Sequence, residues 1–492
     1  MAQAELRRFH QLIDGEKRPA ANGRWMESID PSRGLPWAEI PDGGAADIDA
    51  AVAAARRAFY GGWRKLPALQ RAALLRRVAE LVQAKIPLLA EIESRDNGKP
   101  IAETTAGEIP AVAQMFWYWA GAADKLHGET VEVSAQSLNY VRREPVGVVG
   151  IVVPWNSPLS IFVAKVGAAL AAGNCVVVKP PESASCSILT IAELFAEAGF
   201  PPGVVNVVAG LGTTAGDALA GHPQVGKISF TGSTATARAI TRRSADAIKP
   251  LSFELGGKSA NIIFADADLE AAAIGASTMS IYTGGAGQTC VAGSRILVQR
   301  PVYDQMVERI TKIVSTIKLG NAMDRSTQMG PLALDRQFDK VRSYLALGQA
   351  EGAEIVFGGR SGEALFGGTD LAQGYYVEPT LFANAKNSMR ICREEIFGPV
   401  ACILPFEDEA EALAIANDSE YGLACGLWTN QLKRAHRMAA DIETGAVWVN
   451  TYRRIHWAVP FGGVKDSGYG RDSGLESLRG YQQVKAVWID LT

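Results

Sequence analysis

From Gly147 to Phe264 short apolar runs alternate with helix-length stretches, and no other feature of the sequence limits the possible folds so strongly. Gly147–Val153 is continuously apolar, as a strand buried on both faces of a parallel sheet must be. The pattern predicts a helix over about 157–172, a strand over 175–179, a helix over 185–198, a strand over 204–208 and a helix over 212–220. A strand over 227–230 and a helix over 234–244 follow, and strands over 251–254 and 261–264 close the unit. That rhythm is the signature of a doubly wound α/β sheet.

The flanking segments differ in character. Apolar residues at three- to four-residue spacing predict helices over 45–60, 67–95 and 109–126. The aromatic run Met115–Trp119 reads as packing rather than as a binding box. Residues 128–143 alternate polar and apolar, which predicts a two-sided ribbon whose free edge invites pairing with another subunit. Looser strand–helix alternation over about 269–470 predicts a second α/β domain, with strands over 295–298, 400–405 and 426–428. Residues 486–489 form a last apolar strand with no later segment to pair with. The expected division is 1–126 with 146–257, then 258–470, with 127–145 and 471–492 as a small oligomerisation element.

Composition excludes several functions. Lys and Arg number 49 against 52 Asp and Glu, a net charge of −3, so a strongly basic nucleic-acid binder is ruled out. The most apolar stretch, 146–178, is interrupted by Pro154, Asn156, Pro158, Lys165 and Asn174, so no bilayer-spanning helix is expected. The first residues carry no apolar run of a leader, and a cytoplasmic location is expected. The six Cys form no C-x-x-C pair and the five His no H-x-x-x-H pair, which argues against a structural or catalytic metal.

Chemistry-bearing residues concentrate where strands end. At the carboxyl edge of a parallel sheet, side chains face the ligand crevice. Pro154-Trp155-Asn156-Ser157 ends one strand, and its Asn offers an uncharged donor for a developing oxyanion or else forms an Asx-turn. Lys179-Pro-Pro-Glu182 ends another; an acidic residue there suits the two hydroxyls of an unphosphorylated ribose, unless the two form only an exposed ion pair. Gly232-Ser233 opens a helix after a strand, which makes either an anion site or a simple N-cap. Glu254, at a strand end before two glycines, is a candidate general base. Cys290 stands in Gly284-Gly-Ala-Gly-Gln-Thr-Cys290, where small neighbours leave room around the sulfur that a nucleophile needs. The other five Cys sit among Val, Ile and Leu and read as core. Gly210-Leu-Gly212-Thr-Thr-Ala-Gly216 looks like a dinucleotide fingerprint, but its last glycine is one residue late.

Taken together, these segments resemble the NAD(P)-dependent aldehyde dehydrogenase superfamily. The likeness rests on Pro154-Trp-Asn156, Lys179-Pro-Pro-Glu182, Phe230-Thr-Gly-Ser-Thr234, Glu254-Leu-Gly-Gly-Lys258, Gly287-Gln-Thr-Cys290, Glu395-Ile-Phe397-Gly-Pro and Pro460-Phe461-Gly-Gly, in family order. The resemblance implies a Rossmann-like cofactor domain, a second α/β catalytic domain and a small β-ribbon oligomerisation element. It implies that Cys290 attacks the aldehyde, that Asn156 and the Cys290 N–H hold the oxyanion, and that Glu254 activates the hydrolytic water. For NAD, with NADP possible, it implies Lys179 and Glu182 at the adenosine ribose, Gly232 and Ser233 at the pyrophosphate, Glu395 at the nicotinamide ribose with Phe397 beside it, and Pro154 and Trp155 in the cofactor site. It implies a homodimer or homotetramer acting on a small-molecule aldehyde. Two departures stand out. Ala237 replaces a glycine, and Asp472 replaces a Glu thought to assist proton transfer with the Lys matched by Lys165.

Positions that hold large aromatics in acetaldehyde-type members are Ser157, Ala164 and Gly284, which implies a wider pocket and a bulky or aromatic aldehyde. Phe461 and the 450–457 segment belong to the implied substrate entrance. Arg453 or Arg454 there would suit a semialdehyde if either binds a carboxylate, or else faces solvent or a subunit interface. A CoA-acylating member typically lacks the carboxylate found at Glu254, a crystallin-like protein needs no intact Cys290, and a Cys hydrolase needs a His partner.

Overall fold

The computed structural model describes residues 6–492; residues 1–5, the head of the stretch read for a leader, lie outside the described residues. The alternation begun at Gly147 builds one sheet. Its central strands, Val148–Val152, Cys175–Lys179, Val205–Val207, Lys227–Thr231 and Leu251–Glu254, run parallel. Spatially they lie in the order 205, 175, 148, 227, 251 by first residue. The order therefore reverses between Val148–Val152 and Lys227–Thr231, and a crevice opens beyond their carboxyl ends. Nearly every residue of these strands is buried, because helices cover both faces.

Three expectations need correction. The first third is not purely helical: Gln11–Ile13 and Glu16–Arg18 extend the cofactor-side sheet, and Trp25–Asp30 with Leu35–Pro41 forms a separate small sheet. Those strands are short, and their polar faces hide the period of two. The single helix expected over 67–95 is two, Ala68–Ala84 and Ile86–Asn97, meeting at Lys85 just before Pro87, a residue suited to a first helical turn. The strand expected to close the first unit, Ala260–Ile263, belongs instead to the second sheet, paired with Arg295–Gln299 and Ala424–Trp428. An apolar run shows that a strand is buried, not which sheet buries it.

The second sheet runs 354–357, 380–383, 400–406, 295–299, 260–263, 424–428, 446–449, parallel except for its first member. The two sheets have separate apolar cores. Leu255–Ser259 connects the carboxyl end of one to the amino end of the other, so the crevice lies between them.

The last strand does have a partner. Gln482–Asp490 pairs along its whole length with Ser137–Pro145, an earlier part of the chain, and Glu129–Ser134 adds the third strand. Both outer strands of this ribbon are edges, and Val131, Val133, Val484, Trp488 and Ile489 are exposed on it. No helix of the described residues is long and apolar enough to cross a membrane.

Candidate active site

The carboxyl edge of the first sheet and the amino approach of the second bring the sequence candidates together. Cys290 lies in the loop that leads into Arg295–Gln299, and it alone among the six Cys is half-buried rather than fully buried. Its left-handed neighbours Gly284, Ala286 and Gly287 coil the loop tightly. Burial, with the charges of Glu254 and Glu395 behind it, holds the Cys290 thiol well above its ordinary pKa.

Glu254 ends the strand Leu251–Glu254 and is 5% exposed. Its Oε1 is buried with no hydrogen-bond partner among the described residues. Burial first, then the charge of Asp472, pushes its pKa up to about 8, against the opposing pull of Lys165. Carboxyl and thiol interact, each shifting the other's protonation. A carboxylate desolvated this far accepts a proton at near-neutral pH, as a general base must.

Asn156 faces the same loop. Its Nδ2 donates to the Gln288 carbonyl at 2.9 Å, which anchors the amide beside the segment ending at Cys290. An amide carries two N–H groups, so one remains for a ligand. Gln288 is itself fixed, donating to Gly285 O at 2.8 Å and accepting from Ala333 N at 3.0 Å.

Lys165 and Asp472 form a buried pair at 2.8 Å, and Lys165 also donates to Ser229 at 3.1 Å. The shorter side chain at position 472 still reaches, because backbone bonds in both directions between Asp472 and Phe461, each 2.7 Å, pull that segment in. Asp472→Asn keeps an acceptor but removes the charge, and it should cost about 2 kcal/mol of stability, read by denaturant titration. It should also move the alkaline-rising limb of the pH–rate profile below pH 8. The negative charge that resists Glu254 ionisation is gone, and the unneutralised Lys165 favours it further.

The cofactor candidates line the crevice at the switch point. Lys179 Nζ meets Glu182 at 2.8 Å, and Arg336 lies 3.6 Å from the other oxygen. Burial alone would raise the Glu182 carboxyl, but the charge and hydrogen bond of Lys179 hold it below its ordinary value. Ser233 caps the helix Thr234–Ser244, accepting from Thr236 N at 3.2 Å, so the N-cap reading of that turn holds whatever else the turn binds. Gly232 donates to the Glu254 carbonyl at 3.1 Å and ties this turn to the end of the Glu254 strand. Glu395 accepts from Gly257 N at 3.1 Å, and its carboxylate occupies the space that a side chain at Gly256 would need. Phe397 has φ +61° and stands edge-on to Trp155 with ring centroids 5.3 Å apart, an aromatic bridge across the crevice. Non-Gly residues held at such φ values mark places where the surroundings dictate the backbone.

Those surroundings include residues that sequence reading passed over. Gln337 donates to the carbonyls of Ile396 and Phe397, both at 2.8 Å, and Lys340 to that of Glu395 at 2.8 Å. With Arg336 they share the helix Asp335–Ala350, whose polar residues look in sequence like an ordinary solvated face. Ser467 accepts from Gly422 N at 3.0 Å and donates to Gly256 O at 2.7 Å, fixing the loop after Glu254. Among the described residues, no group of three or more His, Cys, Asp or Glu could hold a metal ion.

Ser157 follows Asn156 and accepts from Lys99 at 2.8 Å. Ala164 is buried, Arg453 is half-buried with φ +52°, and Phe461 is half-buried.

The model of the aldehyde dehydrogenase family matches residues 18–487. The chain belongs to the aldehyde dehydrogenase family. It is 42% identical over 484 residues to acetaldehyde dehydrogenase 2 of Cupriavidus necator, covering 98% of this chain and 94% of that one. Among solved structures, the NAD+ complex of an aldehyde dehydrogenase from Bacillus cereus superposes with a TM-score of 0.95 at 42% identity, covering 99% and 97% of the two chains. The P. syringae indole-3-acetaldehyde dehydrogenase in complex with NAD+ and IAA gives a TM-score of 0.95 at 40% identity over 99% and 98%. The aldehyde dehydrogenase fold, with its Rossmann-like and catalytic parts, is thus shared along the whole length.

Proposed function

We propose that this chain oxidises a bulky or aromatic aldehyde to its carboxylic acid with NAD, through a covalent thioester on Cys290. One observation carries the reading. The one thiol that is only half-buried interacts with a buried carboxyl that has an unpartnered oxygen, and the Asn156 amide is fixed to the loop two residues before that thiol.

The residues divide the reaction as follows. Cys290 gives its proton to solvent and its sulfur bonds to the aldehyde carbon, the C=O π pair moving to oxygen to give a thiohemiacetal oxyanion. The free N–H of Asn156 and the backbone N–H of Cys290 stabilise that oxygen. NAD, when bound, supplies the acceptor for the hydride that leaves the carbon. The carbonyl re-forms as a thioester on Cys290. Glu254 takes a proton from water, the water oxygen bonds to the carbonyl carbon, and the C–S bond breaks to free acid and thiol. Glu254 favours hydrolysis over transfer to CoA.

For the cofactor, Lys179 and Glu182 suit the adenosine ribose, Gly232 and Ser233 the pyrophosphate, Glu395 the nicotinamide ribose, with Phe397, Trp155 and Pro154 closing round it. The fit rests on Glu182: held ionised by Lys179, it accepts from ribose hydroxyls and repels a 2′-phosphate. Glu182→Gln should raise KM for NAD about tenfold and narrow the NAD-to-NADP ratio of kcat/KM, one hydrogen bond to a charged group being worth roughly 1.5–3 kcal/mol.

Small residues at Ser157 and Ala164 support a wide pocket, although the Glu103 carboxylate takes up the space beside Gly284, and the similar P. syringae enzyme is named for an aromatic aldehyde. A semialdehyde bound through Arg453 has less support, because the carboxyl of Glu103 lies within electrostatic reach of that arginine. Turnover of benzaldehyde-type, aliphatic and ω-carboxylated aldehydes, read as NADH formed with equimolar acid, tests the whole reading; a strict CoA requirement would overturn it. The exposed apolar ribbon supports a homodimer or homotetramer, which sedimentation would measure.

A further inference from the structure

Beside Ser157 lies a cluster of charges that the reaction above does not use. Lys99 is buried, and its ammonium donates to Glu108 Oε1 at 2.7 Å, to Glu108 Oε2 at 2.6 Å and to Ser157 Oγ at 2.8 Å. Ser160 adds a bond to Glu108 at 3.1 Å. An ammonium has three N–H donors, so Lys99 has none left.

Glu103 stands one turn further along, where the helix Ile101–Glu103 runs into a wide turn over Thr104–Glu108. Such turns insert one residue and are frequent at functional sites. Glu103 is half-buried, and its carboxylate lies against Gly284, with Oε1 and Cδ only 2.8 and 2.9 Å from where a Cβ would stand. It therefore fills the space that a side chain at position 284 would take. Nothing among the described residues donates to it, and Arg453 acts on it only from beyond ion-pair distance. Burial raises its pKa.

Its place relative to the nucleophile follows from contacts given above. Gly284 opens the loop that ends at Cys290. Lys99 holds Ser157, Ser157 adjoins Asn156, and Asn156 holds Gln288 two residues before Cys290. Glu103 thus takes the place of a side chain at Gly284, one of the positions the family resemblance assigns to the substrate pocket, six residues before Cys290.

We propose that Glu103 is a specificity-determining residue, and that it selects aldehydes whose tail ends in a hydrogen-bond donor, a hydroxyl or an ammonium, over those with a plain or carboxylate tail. A carboxylate is acceptor-only when ionised, and nothing among the described residues donates to this half-buried one. A donor on the substrate gives it a partner; a carboxylate tail adds like-charge repulsion. The inference rests on the Cys290 chemistry proposed above and adds the identity of the far end of the substrate.

The test compares kcat/KM for benzaldehyde, 4-hydroxybenzaldehyde, 4-(aminomethyl)benzaldehyde and 4-carboxybenzaldehyde with NAD, using full-length wild type, Glu103→Gln and Glu103→Ala. In wild type at least one donor-bearing aldehyde should exceed benzaldehyde by about tenfold, the worth of one such bond, and the carboxylate should fall below it. The hydroxyl and ammonium arms show which donor is used. In Glu103→Ala both ratios should collapse to about one. In Glu103→Gln, which keeps an acceptor but no charge, the ammonium preference should fall and the carboxylate penalty vanish. Absence of any donor preference in wild type, or its survival in Glu103→Ala, overturns the proposal. So does loss of benzaldehyde turnover in both variants, which makes Glu103 structural. Failure of wild type on all four aldehydes instead overturns the Cys290 reading.

Discussion

Cys290→Ala should lower kcat with any aldehyde by at least ~10⁴-fold while leaving NAD binding within about twofold. The size follows from the site. The other five thiols are buried; burial holds Cys175, Cys186 and Cys425 far from ionisation, and Cys392 and Cys402 are hydrogen-bonded to each other, so none can substitute. NADH formation at a single saturating aldehyde measures the first quantity, and cofactor titration by fluorescence the second. Residual turnover within tenfold of wild type would remove the thioester from the mechanism. Cys290→Ser would not serve as well, because a serine hydroxyl beside a base could retain some attack.

Glu254→Gln should produce a different failure. If Glu254 acts on water, the first half of the reaction survives: about one NADH forms per site in a burst, and steady turnover then falls by roughly 10²–10⁴-fold. Mass spectrometry of the stopped enzyme should find the acyl group on Cys290. Loss of the burst itself would mean that Glu254 must also take the proton of the thiol, a role its interaction with Cys290 makes chemically reasonable. Wild type should show turnover rising with pH through about 8, because Glu254 must be ionised to accept a proton and burial holds its pKa there. In Glu254→Gln that limb should disappear.

Much of the site could be read from residues alone. Strand ends at the carboxyl edge of a parallel sheet were informative because their period and apolarity mark where side chains must turn toward a ligand; this placed Asn156, Lys179, Glu182, Gly232 and Glu254 in one crevice. Cys290 stood out through its small neighbours. The resemblance then supplied roles for Glu395, Phe397 and Phe461, whose loops carry no distinctive chemistry. The helix residues Arg336, Gln337 and Lys340 were illegible, because a polar face that holds another loop's carbonyls looks the same as one that faces water. Glu103 was illegible for the same reason, and the decisive fact about it is an absence at Gly284, 181 residues away.

The sequence by itself determined most of the layout and the candidate chemistry: an α/β doubly wound unit, a second α/β part, a ribbon, and a candidate nucleophile, base and amide. Local period and residue type suffice for that, because both act over a few residues. Tertiary structure alone decided which strand joined which sheet, as Ala260–Ile263 shows, and what paired with the final strand. It alone decided that the shorter Asp472 still reaches Lys165, that Asn156 spends one N–H on Gln288, and that Glu254 sits desolvated enough to accept a proton near pH 8. These depend on distances and burial between residues far apart in the chain, which the packing of the two sheets sets and no local pattern encodes.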